Sequence, residues 1–374
     1  ARVVPVDPGP LGHRPVGARA RSRACTGAGP GTDRRSGAVP TRTGDGTAGQ
    51  QQAARLVGGP GVRVVTCVLV TGAGGPAGVA VLRALARAGH PIVAADADPD
   101  AAGLRLTPTR AVLPRATDPA FGAAVLALVD ETRPAVLLTT VSEELAALEE
   151  LSSELASRQV ATWLPPAAAV EVCLDKWKFA RVLHDAGVPT PLTALGGASG
   201  VAGPWVVKPR FGRGSRDVHL VEEPQDLAWA CRRTPEPIVQ TRADGREFTA
   251  DVLVERDGRV VACVPRWRLE TRGGISTKGE TFVDAAVDGV VARTVAAVGL
   301  QGALNLQGFV DAGAATVVEV NPRFSGGLPL SLAAGADLVG QFVRGALGLP
   351  LQAARLEHRP GVRMIRSFTE CFES

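Results

Sequence analysis

The sequence has no tyrosine, one methionine and only four lysines among its 41 basic residues. Its six cysteines (25, 67, 173, 231, 263, 371) contain no C-x-x-C pair, which excludes a zinc ribbon and gives no sign of a disulfide framework. The five histidines (13, 90, 184, 219, 358) include no H-x3-5-H pair, which argues against a transition-metal site. No uncharged apolar run reaches the ~18 residues that a membrane helix needs. These absences lead us to expect a metal-poor protein of a reducing, cytoplasmic interior, with no membrane partner.

The 374 residues carry a formal charge of +4, unevenly spread. Residues 1–61 hold nine Arg and three Asp with no Lys or Glu, a balance of +6, so the rest sums to −2. Gly and Pro fill 20 of those 61 positions, too many for a segment that must bury apolar surface, and we expect it to be disordered. It offers no aromatic for base stacking, and the nearly neutral body gives no reason to expect a nucleic-acid partner.

From Val62 the pattern becomes that of a folded α/β body. The apolar run Val64–Val70 reads as a strand buried on both faces, followed by a turn with glycines at 72, 74 and 78. A helical pattern (Val79, Leu82, Leu85) ends at Gly89, and a strand at 91–95 ends at Asp96. Helices around 121–131 and 143–155 and a strand at 135–139 complete a doubly wound domain over 62–165. As a dinucleotide fingerprint the turn is imperfect, because the third glycine belongs at 77. The strand and Thr-Gly start is also similar to short-chain dehydrogenases, but the tyrosine they need is missing. Ser142-Glu143-Glu144 reads best as a helix cap.

Beyond Asp175 the texture is α+β. A helix at 175–185 stops at Gly187, and strands follow at 205–207, 218–221, 238–240, 248–255 and 260–264, the last two joined at Asp257-Gly258. A polar loop is expected over 266–280, then a helix at 284–298 and strands at 305–311 and 315–320. In a chain so biased to Arg, the surviving lysines mark places a guanidinium does not serve. Lys208 ends an apolar strand just before Gly212 and Gly214, as a point cation beside a backbone cradle for phosphate does. If the last two strands pair about Gly313, opposed residues sum to 626. Gln307 then meets Glu319 and Asn305 meets Asn321, an oxygen-rich patch suited to a hard cation such as Mg2+.

Together, VEVNPRFSGG (318–327), Gln307, Asp175-Lys176 before GVPTP (187–191), WVVKPRFGRGS (205–215) and IVQTRADGREFTADVL (238–253) resemble the ATP-grasp superfamily. Within it the match is to the branch like carbamoyl phosphate synthetase and its stand-alone relatives, of carboxylate–amine ligase type. The turn VTGAGGPAG (70–78) looks like the domain that precedes the grasp fold in such proteins. The resemblance implies a doubly wound α/β pre-ATP-grasp domain (62–165) followed by an ATP-grasp fold of two α+β subdomains. The first, 166–240, would carry the phosphate loop, and the second, 241–374, the metal site. ATP is implied as cofactor with Mg2+, or Mn2+ in its place. Lys176 and Lys208 would contact phosphates, Gly212, Gly214 and Ser215 would close over them, and Gln240, Thr241 and Arg242 would form the adenine hinge. Glu247 would accept from ribose, Gln307, Glu319 and Asn321 would hold metal, and Arg323 would neutralise the transferring phosphoryl group. Thr241 stands where many relatives have Glu. Arg266, Arg268, Arg272 and Lys278 are the candidates for a substrate anion. The implied reaction joins a small-molecule carboxylate to an amine through an acyl phosphate. The alternatives are phosphorylation of a carboxy or carbamate substrate, as in the synthetase, or non-catalytic nucleotide binding.

Overall fold

The computed structural model describes residues 64–372, Arg213 and Ser215 excepted. The segment 1–61, expected to be disordered, and Ser215 of the phosphate loop lie outside the described residues. Among these, no helix is long and apolar enough to cross a membrane.

The first sheet is parallel and consists of β1 (Val68–Thr71), β2 (Ile92–Asp96), β3 (Thr109–Val112) and β4 (Val136–Thr139), in the order β3-β2-β1-β4. β1 and β4 are buried throughout, as their unbroken apolar runs require of strands covered on both faces. β3 is mostly exposed, so no hydrophobic run announced it. The helix Pro76–Ala88 buries Val81, Leu82 and Leu85 and ends on Gly89, which sits at φ 78° and donates to Ala86 and Leu85.

The glycine turn before that helix is built for packing. A Cβ on Gly78 would lie 2.3 Å from the Gly72 carbonyl, so helix and turn can approach this closely only with glycine there. The Asp96 carboxylate accepts from the Gly74 N–H at 2.7 Å and is thereby tied to the turn itself. The expected cap at 142–144 is replaced by another arrangement. The long helix expected over 143–155 is broken into a 3-10 turn (Ser142–Glu144) and two short helices, 145–150 and 152–157, with no side-chain cap. Glu144 instead accepts from the Thr71 and Thr139 hydroxyls at 2.5 and 2.6 Å, joining the ends of β1 and β4. Burial pushes its pKa up, against the lowering effect of those two hydrogen bonds.

The second sheet is antiparallel, with β5 (Thr193–Leu195), β6 (Trp205–Pro209), β7 (His219–Val221) and β8 (Pro237–Thr241) in the order β5-β8-β6-β7. The third holds β9 (Arg246–Val254), β10 (Val260–Arg272), β11 (Ile275–Thr281), β12 (Gly302–Asp311), β13 (Ala314–Asn321) and β14 (Arg363–Ile365). Its order is β13-β12-β9-β10-β11-β14. The helix Ala285–Val298 is capped by Asp284, which accepts from the Ala286 and Val287 N–H groups, and its Val287, Val290, Val291 and Val295 share a core with Val252 and Val317. Each such buried valine contributes about 1.5–3 kcal/mol of transfer free energy.

The polar loop expected over 266–280 is a hairpin. β10 runs on to Arg272, turns at Gly273-Gly274 and returns as β11. Its charges hid it from a hydrophobicity reading: Arg268, Glu270, Arg272 and Lys278 are polar, yet each is paired with another residue. Trp267 holds the hairpin down, with its ring stacked on Phe282 at 3.7 Å and the Arg246 guanidinium 4.2 Å from its centroid.

Candidate active site

A cleft of roughly 350 Å³ is lined by residues of the second and third sheets. Side-chain alternation explains who reaches it. Val206 and Lys208 are two apart on β6, and Gln307 and Phe309 are two apart on β12, and all four line it. Leu220 of β7 and Val218 just before it add to an apolar wall that the sequence reading missed.

The hairpin register delivers the expected polar patch by an unexpected route. Gln307 pairs with Glu319 and Asn305 with Asn321, as the sum of 626 requires. The turn, however, is centred between Ala312 and Gly313, and the pairs nearest it (Asp311 with Ala314, Gly308 with Val317) sum to 625. A one-residue irregularity between Gln307 and Gly308 restores the register at the site, the usual effect of a β-bulge. Val318, the extra residue, lines the cleft. Gly308 permits this crossing, because a Cβ there would lie 2.2 Å from the Thr316 carbonyl oxygen.

Around this pair the side chains form two groups of contacts. Gln307 Nε2 donates to Glu247 Oε1 at 2.6 Å, and Arg268 Nε lies 3.2 Å from the same oxygen. Asn321 Nδ2 donates to Glu319 Oε1 at 3.0 Å, and Arg323 Nη2 donates to Asn321 Oδ1 at 3.1 Å. Asn305 stands apart, donating to the Ala250 carbonyl and to Asp251.

Lys208 approaches from the second sheet and Lys176 from the start of the helix Lys176–Asp185. Lys208 is buried, and that burial pulls its pKa down to about 8; the Glu319 carboxylate acts against this, and Lys176 adds to it. Lys176 Nζ donates to the Gly212 carbonyl at 2.6 Å, so Lys176, Gly212 and Gly214 border the same cleft. Asp175 caps the helix Lys176–Asp185 from below, accepting from the Trp177 and Lys178 N–H groups.

Gln240, Thr241, Arg242 and Glu247 also line the cleft. Gln240 is buried and donates to Thr193 at 2.7 Å. The N–H groups of Thr241 and Arg242 already donate to the Leu192 and Pro204 carbonyls, at 3.0 and 2.8 Å. The four cations expected to meet a substrate anion are already paired. Arg266, 2% exposed, lies 3.0 Å from Asp251 and 3.1 Å from Ser325 Oγ. Arg268 pairs with Glu247, and both Arg272 and Lys278 pair with Glu270 at 3.8 and 2.7 Å. Arg323 does not line the large cleft; it borders a water-sized cavity that Thr139 also lines and reaches the cleft residue Glu319 through Asn321.

The donor set suits a hard cation that arrives with phosphates. Gln307 commits its amide nitrogen to Glu247, which leaves its carbonyl oxygen for a cation, on the strand position that pairs with Glu319. Among the described residues no group of three His, Cys, Asp or Glu side chains forms a metal cage. One carboxylate with amide oxygens is the set that Mg2+ accepts when nucleotide phosphates and water complete its octahedron.

Residues 233–369 match the family model described as ATP-grasp in the biosynthetic pathway with Ter operon. An uncharacterized protein of Sinorhizobium fredii is 27% identical over 223 residues, 52% of this chain and 46% of that protein. The carbamoyl phosphate synthase large chain of Thermomicrobium roseum is 27% identical over 229 residues, 54% of this chain and 21% of that one. The matched region thus spans less than half the length of these curated relatives. Among solved structures, the biotin carboxylase–β,γ-ATP complex of Campylobacter jejuni superposes with a TM-score of 0.63 at 19% identity, covering 78% of this chain and 73% of that one. The L-amino acid ligase of Bacillus licheniformis gives 0.63 at 20% identity, covering 79% and 77%. The biotin carboxylase domain of Hydrogenobacter thermophilus 2-oxoglutarate carboxylase, in complex with MgADP, ADP and bicarbonate, gives 0.62 at 16%, covering 79% and 73%. At these identities the likeness establishes a shared fold.

Proposed function

We propose that this chain, whose resemblance to the ATP-grasp superfamily is borne out in fold and in family model, is an ATP- and Mg2+-dependent ligase. It would activate a small-molecule carboxylate as an acyl phosphate and couple it to an amine. The observation that carries the reading is the meeting, in one cleft, of the buried Lys208 with the Gln307–Glu319 pair. A desolvated ammonium opposite a carboxylate and an amide is an arrangement that gains most when a metal-bound polyphosphate enters between them.

Gln307, Glu319 and Asn321 would hold the metal, and Mg2+ would supply charge neutralisation on the phosphates. Lys176 and Lys208 would hold phosphate oxygens, and the loop with Gly212 and Gly214 would close over them. Val206, Leu220 and Phe309 would sandwich the base. Because the N–H groups of Thr241 and Arg242 are engaged, adenine would meet hinge carbonyls or the next N–H, that of Ala243. In the first half-reaction a carboxylate oxygen forms a bond to the γ-phosphorus while the bond to the ADP oxygen breaks. In the second, the amine nitrogen bonds to the acyl carbon, phosphate departs, and the nitrogen loses a proton to water or to the leaving phosphate. Both steps need positioning and charge neutralisation more than a protein nucleophile.

The test is ADP release by the full chain from MgATP with panels of carboxylic acids, using hydroxylamine to trap acyl phosphates. A carboxylate-dependent hydroxamate signal, abolished by Glu319→Ala, is expected. Failure of MgATP to stabilise the wild-type chain against heat would overturn the reading. ADP release that depends on bicarbonate alone would favour the carboxy-phosphate chemistry of the synthetase relatives.

A further inference from the structure

The cations flagged in the β10–β11 hairpin all have carboxylate partners, but one arginine that no motif singled out does not. Arg366 follows β14 and extends the edge of the third sheet, its N–H donating to the Thr277 carbonyl at 2.8 Å. Its side chain reaches back over the hairpin. Nε donates to the Ser276 carbonyl at 3.3 Å and Nη2 to the Gly326 carbonyl at 2.6 Å. Both acceptors are neutral. Among the described residues no carboxylate lies within ion-pair distance of Arg366.

The surroundings make that a costly place for a lone cation. Arg366 is half-buried, and burial, then the nearby charge of Arg266, lower its pKa. Arg266 is itself neutralised by Asp251 at 3.0 Å, so the local excess of positive charge belongs to Arg366. A guanidinium has five N–H donors in a planar fork, of which two are engaged here, leaving Nη1 to meet an oxyanion. Gly326 belongs to the loop after β13, which follows Asn321 and carries Arg323. A Cβ added to Gly326 would stand 3.4 Å from Pro76 Cβ, so the glycine turn after β1 borders the same spot. A partly desolvated cation beside a like charge destabilises the free chain unless an anion completes it.

We propose that Arg366 anchors an oxyanion, a carboxylate or a phosphate group, of a small-molecule substrate. That the anion belongs to a substrate rests on the ligase reading above; the anion site does not.

Acetate and inorganic phosphate are titrated into the full chain at constant ionic strength, with and without MgADP, following heat stability and binding. At least one probe is expected to bind the wild type and to bind Arg366→Gln at least about tenfold more weakly, a loss of about 1.4 kcal/mol. MgADP affinity should be the same in both. Phosphate binding lost in Lys208→Ala but retained in Arg366→Gln would belong to the nucleotide cleft and overturn the proposal. So would anion binding absent from the wild type. Loss of MgADP binding alone would sink the ligase reading while the anion titration still decides this one. As a second check, Arg366→Met should keep or raise the melting midpoint of the ligand-free chain. A clear fall would make Arg366 a structural strap and refute the anchor.

Discussion

Asp175 and Arg210 meet in a two-pronged ion pair, Nε to Oδ1 at 2.8 Å and Nη2 to Oδ2 at 2.5 Å, and the same Oδ1 caps the helix that begins with Lys176. One carboxylate therefore sets both the start of that helix and the end of the strand carrying Lys208. Burial acts against its charge, but the Arg210 contact and the two backbone N–H groups outweigh it and hold its pKa below the ordinary aspartate value.

From this, Asp175→Ala should lose about 1 kcal/mol through the missing cap alone and weaken MgADP binding by displacing Lys176. The pH dependence has a definite sign. A depressed carboxylate pKa contributes stability that is complete above the unfolded-state value near 4 and vanishes as pH falls through the lower folded value. Melting midpoints of wild type and Asp175→Asn should therefore differ by a constant amount at neutral pH and converge in acid.

Lys208 should show a slope of the same sign in an alkaline window, because here too the folded pKa lies below the unfolded one, although the charged form is now the disfavoured one. With its pKa pulled down to about 8, the unfolded chain holds a proton that the folded chain has released between pH 8 and about 10.4, so its contribution to stability grows with pH in that window. Phosphate binding needs the ammonium, so MgADP affinity should fall as pH rises past 8. Calorimetry of Lys208→Met should show weaker binding without that pH dependence, in a chain no less stable at neutral pH.

Gly308→Ala tests the bulge. With 2.2 Å between the new Cβ and the Thr316 oxygen, β12 and β13 must shift, and a cost of about 2 kcal/mol or more is expected. Because the bulge aligns Gln307 with Glu319, the Mg2+-dependent part of nucleotide stabilisation should fall more than the Mg2+-independent part. Equal losses of both would show that the bulge does not position the pair.

Two arginines of one hairpin should behave differently. Arg266→Met leaves the Asp251 carboxylate buried, a change that typically costs about 3–5 kcal/mol, and it should be strongly destabilising in urea. Arg272→Ala, at an exposed pair with Glu270, should leave the urea midpoint and MgADP affinity where they are. Restoration of stability in Arg266→Met by Asp251→Leu would confirm that the uncompensated charge is the cause.

Much of this was legible along the chain. The Gly89 stop, the helix over 284–298 and the pairing of Gln307 with Glu319 are local matters of turn chemistry and strand period, which a sequence carries directly. The β10–β11 hairpin was not, because its strand residues are charged and their partners lie elsewhere: Arg268 on Glu247, Arg266 on Asp251. β3 and β14 were missed for a related reason, as short, largely exposed edge strands with little apolar signal.

Most buried strands, the glycine stops and the residue types that could meet a phosphate follow from the sequence because each depends on neighbours within a few positions. Which cations are free to do so was decided in three dimensions. Arg266 looked available until Asp251, fifteen residues away, neutralised it, and Arg366 looked ordinary until its fold neighbours proved to be backbone carbonyls and another guanidinium. Charge compensation acts across space over a few ångströms, and a chain's spacing does not record which carboxylates its folding will bring within that reach.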